Sequence, residues 1–324
     1  MNKKKTIFCT LGPASLNKNF LKFVNSKVDL LRLNMSHVEI KKLFSLIKFI
    51  RKYSNVPICI DTEGAQIRTS LKIRRLLKKN SIFIFKKLKK KNIFYPENVN
   101  SDLKKGDILS IGFKGLEVLV QENNQKRIKM KVLKSGFFEV NKGVYLKNRV
   151  IKLNFLTEKD LEAISIAKKF KINNFALSFT NSIDDIKKFS NILPNQNKIY
   201  KIETKKAYKD FNKIVKKGQN FLIDRGDLSK EVSIEMIPVA QRKILQLGKK
   251  YKKNIYVATN FLESMIENNS PTRAEVNDIF STLRLGAAGL VLAAETAIGK
   301  FPNDCIIFLK KIYKIFDKNH KKFQ

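Results

Sequence analysis

Residues 198–228 read KIYKIETKKAYKDFNKIVKKGQNFLIDRGDL. Two apolar runs of strand length lie in this stretch, Lys198–Glu203 and Asn220–Asp227, and each has a carboxylate at its carboxyl end. In a parallel α/β sheet or barrel, the active site is built at that end of the strands. Two hard oxygen ligands from neighbouring strands, beside Lys201, suit a Mg²⁺ that holds phosphoryl oxygens. The stretch therefore predicts a parallel α/β fold and phosphoryl-transfer chemistry.

The same pattern extends along the chain, where apolar runs of strand length alternate with longer amphipathic stretches. Near-continuous apolar strands alternating with helices are typical of a parallel sheet covered on both faces. Eight such strands without a glycine-rich dinucleotide fingerprint favour a (β/α)8 TIM barrel over an open sheet. The predicted strands are Thr6–Thr10, Val28–Leu33, Pro57–Asp61, Asn174–Phe179, Lys198–Glu203, Asn220–Asp224, Asn254–Thr259 and Gly289–Ala293. The helical stretches include His37–Tyr53, Glu158–Phe170, Ile183–Leu193, Ile234–Tyr251, Arg273–Leu285 and Asp304–Lys318.

The alternation breaks once, between about Leu71 and Val150, where short β-like runs are separated by glycines. This pattern predicts a small all-β lid domain inserted after strand 3, with residues 1–70 and 151–324 forming the barrel. An insert at that place can close over the barrel mouth. Its lysine-rich section, residues 78–91, is interpreted as a solvated edge. The β-like runs are Ile82–Phe85, Asp107–Ile111, Glu117–Gln121 and Ile128–Val132.

The composition limits the class of protein. The formal net charge of the 324 residues is +38, but lysine far outnumbers arginine, and nucleic-acid readout relies more on arginine. We interpret the charge as compositional bias on a solvated surface that attracts phosphate-bearing substrates. Cys9, Cys59 and Cys305 form no CxxC pair and are expected to be core residues of a reducing compartment. No apolar run has transmembrane length, so a cytoplasmic protein is expected.

Polar motifs follow the predicted strands in a fixed order. They are TLGPAS at 10–15, RLNMSH at 32–37, DTEGAQIRT at 61–69, KIE at 201–203, RGDL at 225–228, ATNFLESM at 258–265, PTRAE at 271–275 and ETAIG at 295–299. This ordered set resembles the pyruvate kinase family over nearly the whole chain. The resemblance implies a TIM barrel with a β-rich lid after strand 3. It also implies the glycolytic reaction that converts phosphoenolpyruvate and ADP to pyruvate and ATP.

The resemblance also implies a role for each matching residue. Mg²⁺ or Mn²⁺ is expected at Glu203 and Asp227, and Lys201 and Arg32 are expected to hold the transferring phosphoryl group. Thr259 matches the threonine near which the enolate is protonated. Backbone N–H groups of Gly226 and Asp227 are expected to bind the substrate carboxylate. The predicted nucleotide contacts are His37, Arg68 and Lys142, and the predicted K⁺ ligands are Asn34, Ser36, Asp61 and Thr62.

Several positions depart from the family pattern. Gln66 replaces a glutamate that the family links to K⁺ dependence, so a K⁺ requirement stays open. Asp224 replaces a small residue and either adds negative charge near the metal or forms a surface salt bridge. Ser178 begins a segment that lacks the family's arginine after strand four. Ala293-Ala294 replaces Ser-Gly, and the lid segment 112–115 is also altered. His320 is assigned no role.

The sequence ends at Gln324, just past the eighth predicted barrel helix. On the resemblance we expect the C-terminal regulatory domain to be absent, with no sugar-phosphate effector site. The expected partners are phosphoenolpyruvate, ADP or ATP, and a second copy in a homodimer through the barrel, without membrane or specific nucleic-acid binding. Two alternatives stay open. One is a degenerate pyruvate kinase-like barrel that binds a ligand or partner with little turnover, and the other is a basic RNA-associated protein.

Overall fold

The computed structural model describes residues 5–87, 92–112 and 115–319, which form two compact units. One unit combines Met1–Gly64 with Glu158–Gln324, and the other is Ala65–Thr157. The second unit is wider at both ends than the predicted 71–150. It begins earlier because strand Ile67–Thr69 pairs with strand Gly143–Leu146 inside it, and it ends later because residues 151 and 153 pack on its core.

A closed barrel of eight parallel strands forms the first unit, so the predicted (β/α)8 barrel is confirmed. Each strand pairs with the next along the chain, and the last pairs with the first. The strands are Thr6–Thr10, Leu30–Asn34, Ile58–Asp61, Asn174–Leu177, Asn197–Ile202, Asn220–Asp224, Asn254–Ala258 and Gly289–Leu292. The α-helices are Lys18–Phe23, Ile40–Tyr53, Glu158–Lys169, Ile183–Ile192, Lys205–Ile214, Arg225–Glu231, Ile237–Lys250, Arg273–Arg284, Ala294–Ala297 and Pro302–Asn319. Short 3₁₀ turns occupy Ile234–Met236 and Glu263–Ile266.

The apolar strands fill the barrel interior with one side chain from every strand. Because strand side chains alternate in direction, inward-facing residues meet inside the barrel and exclude water. Cys59 belongs to this cluster, and the other two cysteines are also buried thiols, as expected for core residues. The cluster consists of Phe8, Leu30, Cys59, Ala176, Ile199, Leu222, Ala258 and Val291.

The first and last strands approach each other so closely that one position requires glycine. Gly289 is the register partner of Thr6. A Cβ atom at Gly289 would lie 2.2 Å from Oγ1 and 2.3 Å from the carbonyl oxygen of Thr6. Glycine at this position therefore allows the barrel to close.

The second unit is rich in β-structure and has its own apolar core, which includes Phe94, Val118 and Met130. A seven-stranded and a two-stranded sheet are described in it. Its strands are Ile67–Thr69, Arg74–Leu77, Ile82–Lys86, Phe94–Tyr95, Ile108–Ile111, Leu116–Asn123, Arg127–Lys134, Gly136–Glu139 and Gly143–Leu146, with one short helix, Val99–Asp102. Residues 88–91 of the lysine-rich section, 113–114 of the altered lid segment and His320 lie outside the described residues.

Candidate active site

Charged side chains meet at the carboxyl ends of the barrel strands. Arg32 lies on the second strand, Asp61 ends the third, Lys201 lies on the fifth and Asp224 ends the sixth. All four are buried, with at most 6% of their surface exposed. Buried charges are stable only when they are paired, so this end of the barrel is held together by ionic contacts.

Lys201 is the centre of this group. Its Nζ lies 2.7 Å from Oε1 of Glu203, 3.3 Å from Oδ2 of Asp61 and 3.5 Å from Oδ2 of Asp224. It also donates a hydrogen bond of 3.2 Å to Oγ of Ser178. Burial alone would lower the pKa of Lys201, but the three carboxylates outweigh this effect and raise it above its usual value. The ammonium is therefore a fixed positive charge.

Arg32 adds a second fixed positive charge beside it. Its Nε and Nη2 lie 2.6 and 2.5 Å from Oδ2 of Asp61, and its Nη1 donates to Oγ1 of Thr10 over 3.1 Å. Burial would raise the pKa of Asp61, but Arg32 and Lys201 hold it below its usual value. Asp61 is therefore an ionised anchor for both cations.

Glu203 is fully buried and carries one oxygen without a hydrogen bond. Oε2 accepts the N–H of Phe179 at 2.7 Å. Oε1 is close to Lys201 but receives no hydrogen bond from the described residues. Burial and the nearby Asp227 and Asp224 raise the pKa of Glu203 despite the contact with Lys201. The negative charge at this position is therefore undercompensated.

Three carboxylates form a group next to Lys201. One ligand oxygen from each of Glu203, Asp224 and Asp227 lies within 4.8 Å of the others. The sequence predicted Glu203 and Asp227 as metal ligands, and the structure brings these two together. The suggestion that Asp224 forms a surface salt bridge is wrong, because its side chain is buried at the strand end and contacts Lys201.

Thr259 and Asn260 follow the seventh strand in a strained conformation. Their φ angles are 73° and 58°, a region that costs free energy for residues other than glycine and is found at functional sites. Oγ1 of Thr259 accepts the N–H of Gly226 at 2.9 Å. The predicted carboxylate-binding N–H of Gly226 is thus hydrogen-bonded to the predicted catalytic threonine. Asp227 belongs to the first turn of helix Arg225–Glu231.

The predicted K⁺ ligands lie at the ends of two paired strands. Asn34 is the register partner of Asp61, and Oδ1 of Asn34 accepts the N–H of Ser36 at 3.1 Å. Oγ1 of Thr62 accepts the N–H of Ser178 at 3.0 Å. These oxygens therefore already take part in hydrogen bonds.

A fixed ammonium group lies beside these residues. Nζ of Lys159 donates to the carbonyl oxygen of Met35 at 2.5 Å and to Oε1 of Glu63 at 2.9 Å. Met35 lies between Asn34 and Ser36 in the sequence, so a cationic side chain contacts the same loop.

The predicted nucleotide contacts belong to both units. His37 lies in the barrel unit, before helix Ile40–Tyr53, and its N–H donates to the carbonyl oxygen of Asn34 at 3.0 Å. Arg68 and Lys142 lie in the β-rich unit. Nη1 of Arg68 donates to the carbonyl oxygen of Asn141 at 3.4 Å, and Nζ of Lys142 lies 3.3 Å from Glu139. Their part in nucleotide binding stays a prediction.

Two residues at the site were not assigned roles from the sequence. Ser178 was noted only for the missing arginine, but its Oγ donates to Asp61 at 3.1 Å and accepts from Lys201. Arg225 donates to the carbonyl oxygen of Thr259 and pairs with Asp278 at 2.6 Å. Arg225 directly follows the predicted strand Asn220–Asp224, and Ser178 lies near the carboxyl end of the predicted strand Asn174–Phe179, which is the end where barrel active sites are built.

The fold and the buried charge cluster define a (β/α)8 barrel whose polar centre lies at the carboxyl ends of its strands. The sequence model of the pyruvate kinase barrel domain matches residues 2–306. The pyruvate kinase of Thermotoga maritima is 35% identical over 98% of this chain and 72% of its own length. That of Methanocaldococcus jannaschii is 33% identical over 100% of this chain and 72% of its own length. The chain belongs to the pyruvate kinase family, as the sequence motifs predicted.

A further relative, the pyruvate kinase of Staphylococcus aureus, is 29% identical over 96% of this chain and 56% of its own length. The matches thus include bacterial and archaeal proteins and extend over nearly all of this chain. Within the part of the chain that the structure describes, no helix is long and apolar enough to span a membrane.

Proposed function

We propose that this chain transfers the phosphoryl group of phosphoenolpyruvate to ADP, giving pyruvate and ATP. In this reaction the bond between phosphorus and the C2 oxygen of the substrate breaks, and a β-phosphate oxygen of ADP bonds to phosphorus. The enolate left behind takes a proton at C3. The observation that supports the proposal best is the pair of buried cations, Lys201 and Arg32, held by carboxylates at the carboxyl end of the barrel.

The two cations suit the charge of a phosphoryl group in transfer. Catalysis of this transfer depends on positioning and on electrostatic stabilisation of the phosphoryl oxygens. Lys201 is fixed by contacts with Asp61, Glu203 and Ser178, so it needs little reorganisation when charge moves. Arg32 presents a planar guanidinium, which can bind phosphate oxygens in pairs. We assign both residues to binding the phosphoryl group.

The acidic residues fit a divalent cation. Glu203 and Asp227 offer hard carboxylate oxygens within 4.8 Å of each other, as Mg²⁺ or Mn²⁺ requires. Oε1 of Glu203 is buried and lies 2.7 Å from the Lys201 ammonium, but it accepts no hydrogen bond from the described residues, so it could also contact a bound cation. When bound, the ion neutralises phosphoryl and carboxylate oxygens of the substrate. We propose Glu203 and Asp227 as its ligands.

The remaining residues act on the other end of the substrate. Thr259 is held beside Gly226, and we propose that its hydroxyl lies next to the carbon that takes the proton. The N–H groups of Gly226 and Asp227 are proposed to bind the substrate carboxylate at the start of helix Arg225–Glu231. The N–H of Gly226 already donates to Oγ1 of Thr259. A substrate carboxylate that binds this N–H would therefore either share the hydrogen bond with Thr259 or replace Thr259 as its acceptor.

The predicted K⁺ site lies at the ends of the second and third barrel strands. We propose Asn34, Ser36, Asp61 and Thr62 as the K⁺ ligands, because Asn34 and Asp61 are register partners at the ends of paired strands. The contacts of Lys159 with Met35 and Glu63 place a positive charge at the same loop. Turnover in K⁺ compared with turnover in tetramethylammonium of equal ionic strength tests whether K⁺ is required.

The direct test is pyruvate formation from phosphoenolpyruvate and ADP in the presence of Mg²⁺. The parent chain is compared with Lys201→Met, which keeps the length of the side chain and removes the charge. We expect turnover by the parent and its loss in the variant. Arg242→Gln, on the exposed face of helix Ile237–Lys250, is a matched control that should keep full activity.

A folded parent chain that binds Mg²⁺ and phosphoenolpyruvate but makes no more pyruvate than Lys201→Met would contradict the proposal and favour the alternative of a binding protein without turnover.

A further inference from the structure

Asp224 is a buried charged residue of the site to which the proposed function assigns no role. The residue is 5% exposed and ends the sixth barrel strand. One of its oxygens lies 3.5 Å from Nζ of Lys201, and the other lies 3.5 Å from Oγ1 of Thr259. An additional buried carboxylate is costly unless a positive charge compensates it. Asp224 therefore requires a positive charge nearby, and Lys201 lies at 3.5 Å.

The cations of the described residues do not compensate the buried charge fully. The buried carboxylates Asp61, Glu203 and Asp224 face the two cations Arg32 and Lys201. Arg32 pairs with Asp61, whereas Lys201 is shared among Glu203, Asp61 and Asp224. At least one buried negative charge is therefore in excess.

Asp227 increases this excess. One of its carboxylate oxygens lies within 4.8 Å of oxygens of Glu203 and Asp224, although it also interacts with Lys230. A positive charge placed between these three carboxylates would relieve the repulsion.

The carboxylate oxygens of these three residues are close enough to bind one cation. Oxygens of Glu203, Asp224 and Asp227 lie within 4.8 Å of each other, and Oε1 of Glu203 is buried without a hydrogen bond from the described residues. Asp224 reaches this group from a different strand than Glu203 and from the residue before helix Arg225–Glu231. Three carboxylates from two strands and one helix can surround one cation.

We propose that Asp224 supplies a third carboxylate to the divalent-cation centre and thereby holds the cation in the chain before substrate binds. The proposal rests on the function assigned above to Glu203 and Asp227. A site with two carboxylates relies on substrate oxygens to complete its ligands, whereas three carboxylates supply more of the charge and coordination themselves. Asp224 thus raises the affinity of the chain for the metal ion.

The test measures Mn²⁺ binding to the chain without substrate, by the electron paramagnetic resonance signal of free Mn²⁺. Asp224→Asn keeps the shape and removes the charge, and Asp224→Ala removes the carboxylate group altogether. Asp184→Asn is the matched control, since Asp184 is an exposed carboxylate paired with Lys188 at 2.7 Å on a barrel helix. We expect one Mn²⁺ per chain in the parent and in Asp184→Asn. In both Asp224 variants the dissociation constant should rise about tenfold or more.

Glu203→Gln distinguishes failure of this proposal from failure of the proposed function. If Glu203→Gln loses Mn²⁺ while Asp224→Asn and Asp224→Ala bind it as the parent does, the metal centre stands and the role of Asp224 is overturned. If the parent itself binds no Mn²⁺ until phosphoenolpyruvate is added, the role is also overturned, while turnover of the parent still supports the kinase. This last measurement decides the question even if the Asp224 variants fail to fold.

Discussion

The guanidinium of Arg225 holds the carbonyl oxygen of Thr259 through both Nε and Nη2, with the Nε donor at 3.1 Å. The same guanidinium pairs with Asp278 at 2.6 Å and stacks on Phe261, with 4.2 Å to the ring centre. Thr259 itself has a left-handed φ of 73°, which is costly for a β-branched residue. Arg225 therefore stabilises a strained backbone next to the proposed proton-transfer position.

We expect Arg225→Gln to lower kcat by up to about 100-fold, because a misplacement of about 1 Å at a reacting group can cost that much. Arg225→Lys should not restore the rate, since lysine cannot donate two parallel hydrogen bonds to one carbonyl group. Steady-state kinetics of both variants, with Arg242→Gln as the control, measure this. A rate fully restored by lysine would show that only the charge of Arg225 matters.

Ser178→Ala should reduce kcat about tenfold, or about 1.4 kcal/mol, which is close to the lower end of what a hydrogen bond to a charged group contributes. The hydroxyl connects Asp61 with Lys201, so without it the ammonium has one fixed partner fewer. Phosphoenolpyruvate turnover is compared with that of Ser45→Ala, whose hydroxyl bonds only locally on an exposed helix face. Equal rates for the two variants would remove Ser178 from the site.

Gly289→Ala should destabilise the barrel by about 3 kcal/mol, the upper end of the usual cost of overpacking. The added methyl group would meet the backbone of Thr6, which cannot move without disturbing the pairing of the first and last strands. Urea denaturation followed by circular dichroism measures the change in the free energy of unfolding. A loss below about 0.5 kcal/mol, the range of ordinary surface substitutions, would contradict the close approach.

Asp107→Asn should lower stability by about 2 kcal/mol at pH 7, as expected for hydrogen bonds to a charged group. In the β-rich unit, Arg149 donates to both oxygens of Asp107 at 2.7 Å, and the N–H of Lys104 donates at 2.7 Å. Burial would raise the pKa of Asp107, but these donors hold it below its usual value. A carboxylate with a lowered pKa stabilises the fold above the unfolded pKa, near pH 4, and loses this contribution as the pH falls.

The measurement for Asp107 is the thermal midpoint of parent and variant between pH 7 and pH 3. The difference between them should shrink as the pH falls through the folded-state pKa. A difference that is constant over this range would mean that the charge of Asp107 does not contribute.

Much of the barrel could be predicted from local patterns. The runs at Thr6–Thr10 and Asn220–Asp224 have the bounds that the structure gives, because a strand buried on both faces is a continuous apolar run in the sequence. The predicted helix Ile183–Leu193 agrees with the observed Ile183–Ile192 except for its last residue. Its start is a local property, because the side chain of Ser182 caps the helix by accepting a backbone N–H.

The site was predictable only where a motif supplied it. Lys201, Glu203 and Asp227 were found from their place at strand ends, and the structure brings all three into one group. Asp224 could not be assigned, because a carboxylate after an apolar run is equally compatible with solvent and with the interior. Its burial depends on Lys201, which comes from the neighbouring strand.

Local patterns in the chain set where strands and helices form and which polar residues end the strands, because these properties depend on neighbours within a few positions. Which charges touch depends on how distant segments pack together. Lys201 and Asp61 are 140 positions apart, yet their side chains are 3.3 Å apart, because closure of the barrel brings the ends of separate strands to one place. The raised pKa of Glu203, the burial of Asp224 and the contact between Arg225 and Thr259 all follow from that closure.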